Sequence, residues 1–331
     1  MHEARYYEVD EQGQGVRCRL CPHLCHIGEG QEGFCRVRRN VGSKLYAMNY
    51  AQCSGYALDP IEKKPLYHFF PGKKILSLGT WGCNFTCQFC QNWHISQDKP
   101  THIDLVPRQA VALALQQGKD NIGIAYTYSE PIVWYEFVSE TAELARAAGQ
   151  KNVLITNGYI NEQPLAHLLP MVDAMNIDVK AFNDTFYQKT CSGRLGDVVR
   201  TVEQAAAVCH VEITTLVIPG LNDSPNELDG LAKWLAGINP DIPLHFSRYY
   251  PGYKLSLAST PRETLMMAYE TARQHLNYVY LGNMPGEGMN TYCPDCGMLL
   301  IDRLARRSQL QGANSCPRCG KVVALVGEVS Y

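Results

Sequence analysis

Three cysteines, Cys83, Cys87 and Cys90, lie in the run WGCNFTCQFCQNW at the spacing C-x3-C-x2-C. Thiolates spaced in this way can wrap three irons of a [4Fe–4S] cube, and the fourth iron finds no further cysteine in the loop. An electron-transfer cluster normally has four protein ligands, so the iron left open here is available for chemistry. A structural zinc knuckle is the alternative, although zinc sites favour paired C-x2-C units and a fourth ligand.

Two more cysteine sets flank this loop. Cys293, Cys296, Cys316 and Cys319 form two C-P-x-C-G knuckles, and the glycine after each pair lets backbone amides turn back towards the sulfurs. Four such thiolates predict zinc or redox iron, which ligand type cannot separate. Cys18, Cys21, Cys25 and Cys35 form C-x2-C-x3-C-x9-C, with His23 and His26 as alternates; zinc or a second iron–sulfur cluster fits this set. Fourteen cysteines in a secreted mini-protein would mean disulfides. Here eleven of them fall in three tight groups of a 331-residue chain, and metal ligation is the better reading. The opening run MHEARYYEVDEQGQG carries no apolar leader, and no stretch approaches the roughly 18 apolar residues of a membrane span, so a cytoplasmic protein is expected. Hydrophobic content of 46% and a formal charge of −2 imply neither disorder nor a polyanion-binding surface; nucleic acid is not indicated.

The elements that must position these residues alternate in type. Short apolar runs (KKILSLG, NIGIAYTY, KNVLITN, AMNIDVK, VEITTLVIP, IPLHFSRYY, NYVYLGN) are separated by helix-like segments such as PRQAVALALQQG, PIVWYEFVSETAELARAAG and SPNELDGLAKWLAG. Six or seven alternations predict an α/β fold of parallel β/α units. An open, partial (β/α)6 barrel fits that number, with a doubly wound sheet as the runner-up. Residues 1–70 then form a cysteine-rich segment, 71–288 the core, and 289–331 a rubredoxin-like or zinc-ribbon tail. Ligands belong at the carboxyl ends of the strands, where the Cys83 loop follows KKILSLG.

Several polar residues fall at those strand ends. Ser129 and Glu130 follow the second strand; Ser-Glu-Pro is also a common helix start, with Ser129 as N-cap and Pro131 at the first helical position. Thr156 and Asn157 end the third strand. Asp178 and Lys180 are two apart and share one face of the fourth, where opposite charges are costly to bury without a role; a structural ion pair is the alternative. His245, Arg248 and Tyr250 end the sixth run, as site residues or as barrel filling. Phe89, inside the cysteine loop, can pack on a flat ligand and keep water away.

With these residues in hand, the chain resembles the AmmeMemoRadiSam system radical SAM enzymes, relatives of the pyruvate formate-lyase activating enzymes. The resemblance runs over nearly the full length: RCRLCPHLC ending at Cys25, DPIEKKPLYHFFPG at 59–72, CNFTCQFCQNW, YTYSEP, NIDVKAF and the terminal knuckles. It implies a radical SAM barrel whose open iron chelates the amino and carboxylate groups of S-adenosylmethionine. Ser129, Glu130 and Asn157 would then hold the cofactor, Lys180 its methionine carboxylate, Asp178 a hydroxyl and Phe89 the adenine, with His245 a further contact. The G-G-E-P motif of such enzymes lacks its double glycine here. The implied reaction is reductive cleavage to a 5′-deoxyadenosyl radical that abstracts hydrogen from a substrate the resemblance leaves open. Activation of a glycyl radical enzyme and a non-catalytic metal scaffold are the alternatives. Implied partners are a one-electron donor such as flavodoxin or ferredoxin, and Memo-like and AMME-candidate-like proteins. Lys63 and Lys64 either contact substrate or partner or are solvated. Because the seventh strand ends at the mouth, the tail is expected to pack near it and narrow access.

Overall fold

The computed structural model describes residues 1–10, 15–284 and 286–331, so residues 11–14 of the opening run lie outside the described residues. Eight strands form one sheet: β1 (Gly55–Pro60), β2 (Lys74–Gly79), β3 (Asn121–Thr127), β4 (Lys151–Thr156), β5 (Ala174–Asp178), β6 (His210–Val217), β7 (Leu244–Arg248) and β8 (Val279–Gly282). Their spatial order is their chain order, β8 to β1. β2 through β8 pair in parallel, whereas β1 runs antiparallel to β2, with Gly55 opposite Gly79 and Pro60 opposite Lys74.

The crossovers carry helices α1 (Pro107–Gln116), α2 (Tyr135–Ala147), α3 (Glu162–Leu168), α4 (Leu195–Ala206), α5 (Pro225–Ile238) and α6 (Arg262–Ala272). A strand order that never reverses, joined by right-handed crossovers, puts the helices on one face of the sheet. The other face curls inward. The edge strands β1 and β8 do not pair with each other, so the result is the partial radical SAM-type (β/α)6 barrel and not a doubly wound sheet.

The interior is filled by a segment that sequence reasoning placed in the N-terminal unit. Ile61, Leu66 and Phe69 pack against Ile75 of β2, Ala125 of β3, Val153 of β4 and Ala174 of β5 in one buried cluster. The same segment reaches β8, where His68 Nε2 lies 2.6 Å from Tyr280 Oη. β1 and residues 61–70 are therefore part of the barrel, because an open barrel must cover its inner apolar face from outside the β/α repeat.

Below the mouth a buried carboxylate organises this filling. Glu212 accepts from the backbone N–H groups of Tyr67 (2.9 Å) and His68 (2.7 Å), and from His210 Nε2 (3.0 Å) and His245 Nε2 (2.7 Å). Burial alone would push its pKa up. The histidine donors outweigh that and hold it well below the usual carboxylate range.

Small antiparallel sheets flank the barrel. The N-terminal unit has one sheet of residues 2–3, 38–41 and 44–47 and another of 7–9, 15–18 and 26–28. It docks on α2 through Arg38, whose guanidinium meets Glu136 Oε1 at 2.6 Å, both side chains being 1% exposed. The C-terminal unit pairs residues 291–292, 299–302 and 307–308. No helix among the described residues is long and apolar enough to cross a membrane.

The tail does not sit at the mouth. After β8 the chain turns back, with Leu281 N–H donating to Gly288 O (3.0 Å), and runs along the outside of the open seam. Phe70 N–H donates to Val326 O (2.7 Å), Ser330 N–H to Pro71 O (2.8 Å) and Arg303 to Tyr67 O (2.8 Å). The expectation of a lid overlooked this reversal: it placed the tail by where β8 ends, while the tail is held by residues 62–72.

Candidate functional site

A cavity with about 1260 Å³ of empty space, part of it open to solvent, lies at the carboxyl ends of the strands. Its wall includes Cys83, Cys87 and Cys90 together with Phe89, Ser129, Glu130, Asn157, Asp178 and Lys180. Residues more than 90 positions apart thus meet because each follows, or ends, a parallel strand.

The cysteine loop is braced from several sides. At Gly82 (φ +86°) a Cβ would stand 2.8 Å from Cys35 O and 2.5 Å from Val37 Cγ1, so the loop enters through a gap only glycine passes. Thr86 N–H donates to Cys191 O (2.9 Å) and Gln88 N–H to Thr190 O (3.1 Å); both acceptors belong to a π-helical turn, Tyr187–Cys191, a geometry frequent at functional sites. Phe85 N–H points at Cys83 Sγ (3.3 Å). All three thiols are free of disulfides. Burial pushes the Cys83 and Cys90 thiols up, and for Cys87 the hydrogen bond with the Cys191 thiol does so ahead of burial; ionising them here calls for a cationic group among them.

Glu130 is the centre of the next layer. Its Oε1 accepts from Thr156 Oγ1 (2.6 Å) and Ile132 N–H (3.0 Å), and its Oε2 from Asn157 N–H (2.8 Å). Burial still pushes its pKa up to about 7 against these donors. Glu130, not Ser129, caps the helical turn Pro131–Trp134; the Ser129 hydroxyl donates to Thr80 O (3.0 Å). With Pro131 at the first helical position, the N-cap is the residue directly before it, Glu130, and Ser129 lies one residue too early. Asn157 Nδ2 bonds Asn84 Oδ1 (2.8 Å) inside the cysteine loop and lies 3.8 Å from Cys83 Sγ.

Asp178 and Lys180 pair at 2.6 Å, with side chains 32% and 16% exposed. Burial works against the Lys180 charge, but Asp178 and the Cys87 thiol outweigh it and keep the ammonium charged. Phe89 is buried against Phe186, ring centroids 5.9 Å apart.

His245 is a correction. It is 2% exposed, bonds Glu212 and packs edge-on to Tyr67 (4.8 Å), while Ser247, two residues on and on the same strand face, lines the cavity. Strand period gives the face but not the depth. Arg248 and Tyr250 do not line this cavity either. Sequence reasoning left Lys63 and Lys64 without a role, and both line it. Lys64 is buried, bonds Asp59 Oδ2 (2.8 Å) and sits over the Tyr128 ring (4.8 Å). The run DPIEKKPL was the available signal, and the missing information was that its strand lies beside β2.

The flanking sets differ in geometry. In the C-terminal unit the four sulfurs of Cys293, Cys296, Cys316 and Cys319 all lie within 4.8 Å of one another. Cys293 and Cys319 Sγ are 3.5 Å apart, and Cys296 and Cys316 Sγ 3.6 Å. That is close to the ~3.8 Å edge of a tetrahedron with ~2.3 Å metal–sulfur bonds, so this set could hold one metal ion. Among the described residues only this set gathers three or more such ligand atoms so tightly; Cys83, Cys87 and Cys90 do not.

An open parallel barrel with a three-cysteine loop at the mouth defines a class of protein, and comparison with known sequences agrees with it. The Radical SAM superfamily profile matches residues 78–235. The chain belongs to the Radical SAM superfamily, which implies binding of S-adenosylmethionine and an iron–sulfur cluster. It is 44% identical over 338 residues to the Uncharacterized protein MJ0808 of Methanocaldococcus jannaschii, covering 98% of this chain and 100% of that protein. It is 28% identical over 210 residues to the Putative glycyl-radical enzyme activating enzyme MJ1632 of the same organism, covering 62% of this chain and 79% of the relative. Among solved structures, a radical SAM methyltransferase from Sphaerobacter thermophilus superposes with a TM-score of 0.53 at 14% identity, over 90% of this chain and 80% of that one. The last likeness concerns the fold alone.

Proposed function

We propose that this chain is a radical SAM enzyme that binds one [4Fe–4S] cluster through Cys83, Cys87 and Cys90 and uses it to cleave S-adenosylmethionine reductively. The observation that carries the reading is one cavity in which three free thiols, a capped carboxylate and an Asp–Lys pair face each other at the strand ends. Once reduced by one electron, the cluster supplies the electron that splits the cofactor into methionine and a 5′-deoxyadenosyl radical. The chain's own residues do the rest. Glu130, with one lone pair left after three donors, accepts from the methionine ammonium. Lys180 moves from Asp178 to the methionine carboxylate, and Asp178 is freed for a ribose hydroxyl. Asn157 holds Asn84 and so the first cysteine in place. Phe89 would lie beside the adenine and exclude water from the reactive carbon, and Ser129, which lines the same cavity, would be a further contact. Lys63, exposed on the cavity wall, would be available to contact the substrate that yields the hydrogen atom.

A flavodoxin or ferredoxin is the proposed electron donor, and the cytoplasm the compartment that provides it. The full-length resemblance to AmmeMemoRadiSam system enzymes makes Memo-like and AMME-candidate-like proteins the first partners to test. A second reading, activation of a glycyl radical enzyme, is favoured by the likeness to the putative activating enzyme MJ1632. Anaerobic incubation with S-adenosylmethionine and a reductant should yield 5′-deoxyadenosine, slowly and without substrate. The variant C83A/C87A/C90A should yield none. Equal yields from both proteins would end this reading; label transferred from a glycyl radical enzyme's backbone to 5′-deoxyadenosine would select the second one.

A further inference from the structure

Cys18, Cys21, Cys25 and Cys35 line one small pocket in the N-terminal unit, partly open to solvent. Three pieces of backbone bring them there: the strand Gly15–Cys18, the turn between it and the strand His26–Gly28, and the loop before Arg38. All four are free thiols, and Cys18, Cys21 and Cys35 are buried. Most of the remaining wall is apolar, with Leu20, Ile27, Phe34 and Val133. Four thiols converging on one apolar pocket, three of them buried, form a ligand set and not scattered core cysteines.

Two observations say what kind of group the set would hold. The first is spacing. The C-terminal sulfurs lie within 4.8 Å of one another, as ligands of a single ion must; among the described residues no three ligand atoms of the N-terminal set do so. In this the set is like Cys83, Cys87 and Cys90 and unlike the C-terminal knuckles. The second is Arg38, which is 1% exposed and lines the cavity. Its terminal nitrogens bond Glu136 Oε1 (2.6 Å) and Arg5 O (2.8 Å), while its buried Nε finds no acceptor. A fully buried N–H donor without a partner is rare in folded proteins, and a sulfide or thiolate in the cavity would accept from it. Phe34 N–H already points at Cys25 Sγ (3.4 Å).

We propose that the N-terminal unit binds a second iron–sulfur cluster of the [4Fe–4S] type, not a zinc ion. With four cysteines available, each iron has a protein ligand and none is left open for S-adenosylmethionine. The two cluster sites share a wall. The Cys35 carbonyl packs on Gly82, the residue before Cys83, and His23, on the cavity wall, has Nε2 2.7 Å from Asn84 O.

The test is acid-labile sulfide, iron and zinc per chain in anaerobically prepared full-length protein, with electron paramagnetic resonance after reduction. Sulfide separates a cluster from zinc and also from any sulfide-free iron in the C-terminal knuckles. The C83A/C87A/C90A variant should keep about four sulfides and a reduced-cluster signal that S-adenosylmethionine does not change, against about eight sulfides in the parent protein. Further replacement of Cys18, Cys21 and Cys25 by alanine should abolish the remainder. A C83A/C87A/C90A protein that is folded by circular dichroism but holds zinc and no sulfide would overturn the inference. Because 5′-deoxyadenosine formation is read on the other cysteine set, failure of the catalytic proposal would look different.

Discussion

Replacing Glu130 by glutamine tests the centre of the cofactor site, because the carboxylate already serves three protein donors and has one lone pair to spare. Two of those donors are backbone N–H groups, of Ile132 on Oε1 and Asn157 on Oε2. An amide can present its oxygen to only one of them, so the other faces an NH2 group in a buried position. That conflict costs about 1–3 kcal/mol of stability and lowers the thermal midpoint whether or not Glu130 has a role in binding. The functional part is separate. A hydrogen bond between the carboxylate and the methionine ammonium, both charged, contributes about 1.5–3 kcal/mol. Its loss corresponds to roughly 10- to 150-fold weaker binding of S-adenosylmethionine at about 1.4 kcal/mol per tenfold. The measurement is equilibrium binding of S-adenosylmethionine to anaerobic, cluster-loaded protein, with iron and sulfide quantified for both forms. A lower melting temperature with unchanged affinity would mean that Glu130 is a helix cap only, and the reasoning for the cofactor site would be refuted.

Lys180→Ala should weaken cofactor binding tenfold or more and leave iron content unchanged, since the Asp178–Lys180 pair lines the cavity without touching the cysteine sulfurs as a ligand; binding titrations with parallel iron analysis check this. Glu212→Gln should cost about 3–5 kcal/mol at neutral pH, because the buried charge is lost and one histidine and one backbone N–H group face an NH2 group in place of an acceptor oxygen. Its folded pKa is depressed, so its contribution is present above the ordinary glutamate value and is lost as pH falls below it towards the folded value; the parent protein should lose stability in acid more steeply than the variant in denaturant titrations. Cys296→Ser together with Cys319→Ser should release metal and free residues 289–331 to protease, and by removing the Val326 and Arg303 contacts to residues 67–70 it should also lower the melting point of the barrel. Proteolysis at 289–331 with an unchanged barrel transition would show that the tail does not support the seam.

Much of the barrel was legible because its signals are local. Each apolar run bounded by Gly, Pro, Asn or Asp became a strand close to its expected place, and the segments PRQAVALALQQG, PIVWYEFVSETAELARAAG and SPNELDGLAKWLAG became α1, α2 with the turn before it, and α5, since a parallel neighbour requires a crossover. The cysteine loop was legible for the same reason: its three ligands lie within eight residues, and their spacing is independent of the rest of the chain. Asp178 and Lys180 do pair as their spacing of two suggested, although β5 ends at Asp178 and Lys180 lies just beyond it. What was missed depended on distance along the chain. Nothing local in DPIEKKPLYHFFPG says that it enters the barrel, because its partners Ala125, Val153, Ala174 and Glu212 come later from separate strands.

Sequence by itself determined the kind of chemistry and the type of each element, because ligand spacing, hydrophobic period and turn residues act over a few positions. Depth, direction and separation were decided only by tertiary structure. His245 shares a strand face with Ser247 but lies beneath the cavity with Glu212, because a period of two carries no information about level. The tail runs down the seam and away from the mouth because Leu281 and Gly288 pair and turn the chain. Two four-cysteine sets of similar composition differ in how their sulfurs gather, tight enough for one ion in the tail and less tightly around the pocket beside Arg38. That separation is set by how the backbone of each small sheet closes, which no spacing of cysteines along the chain encodes.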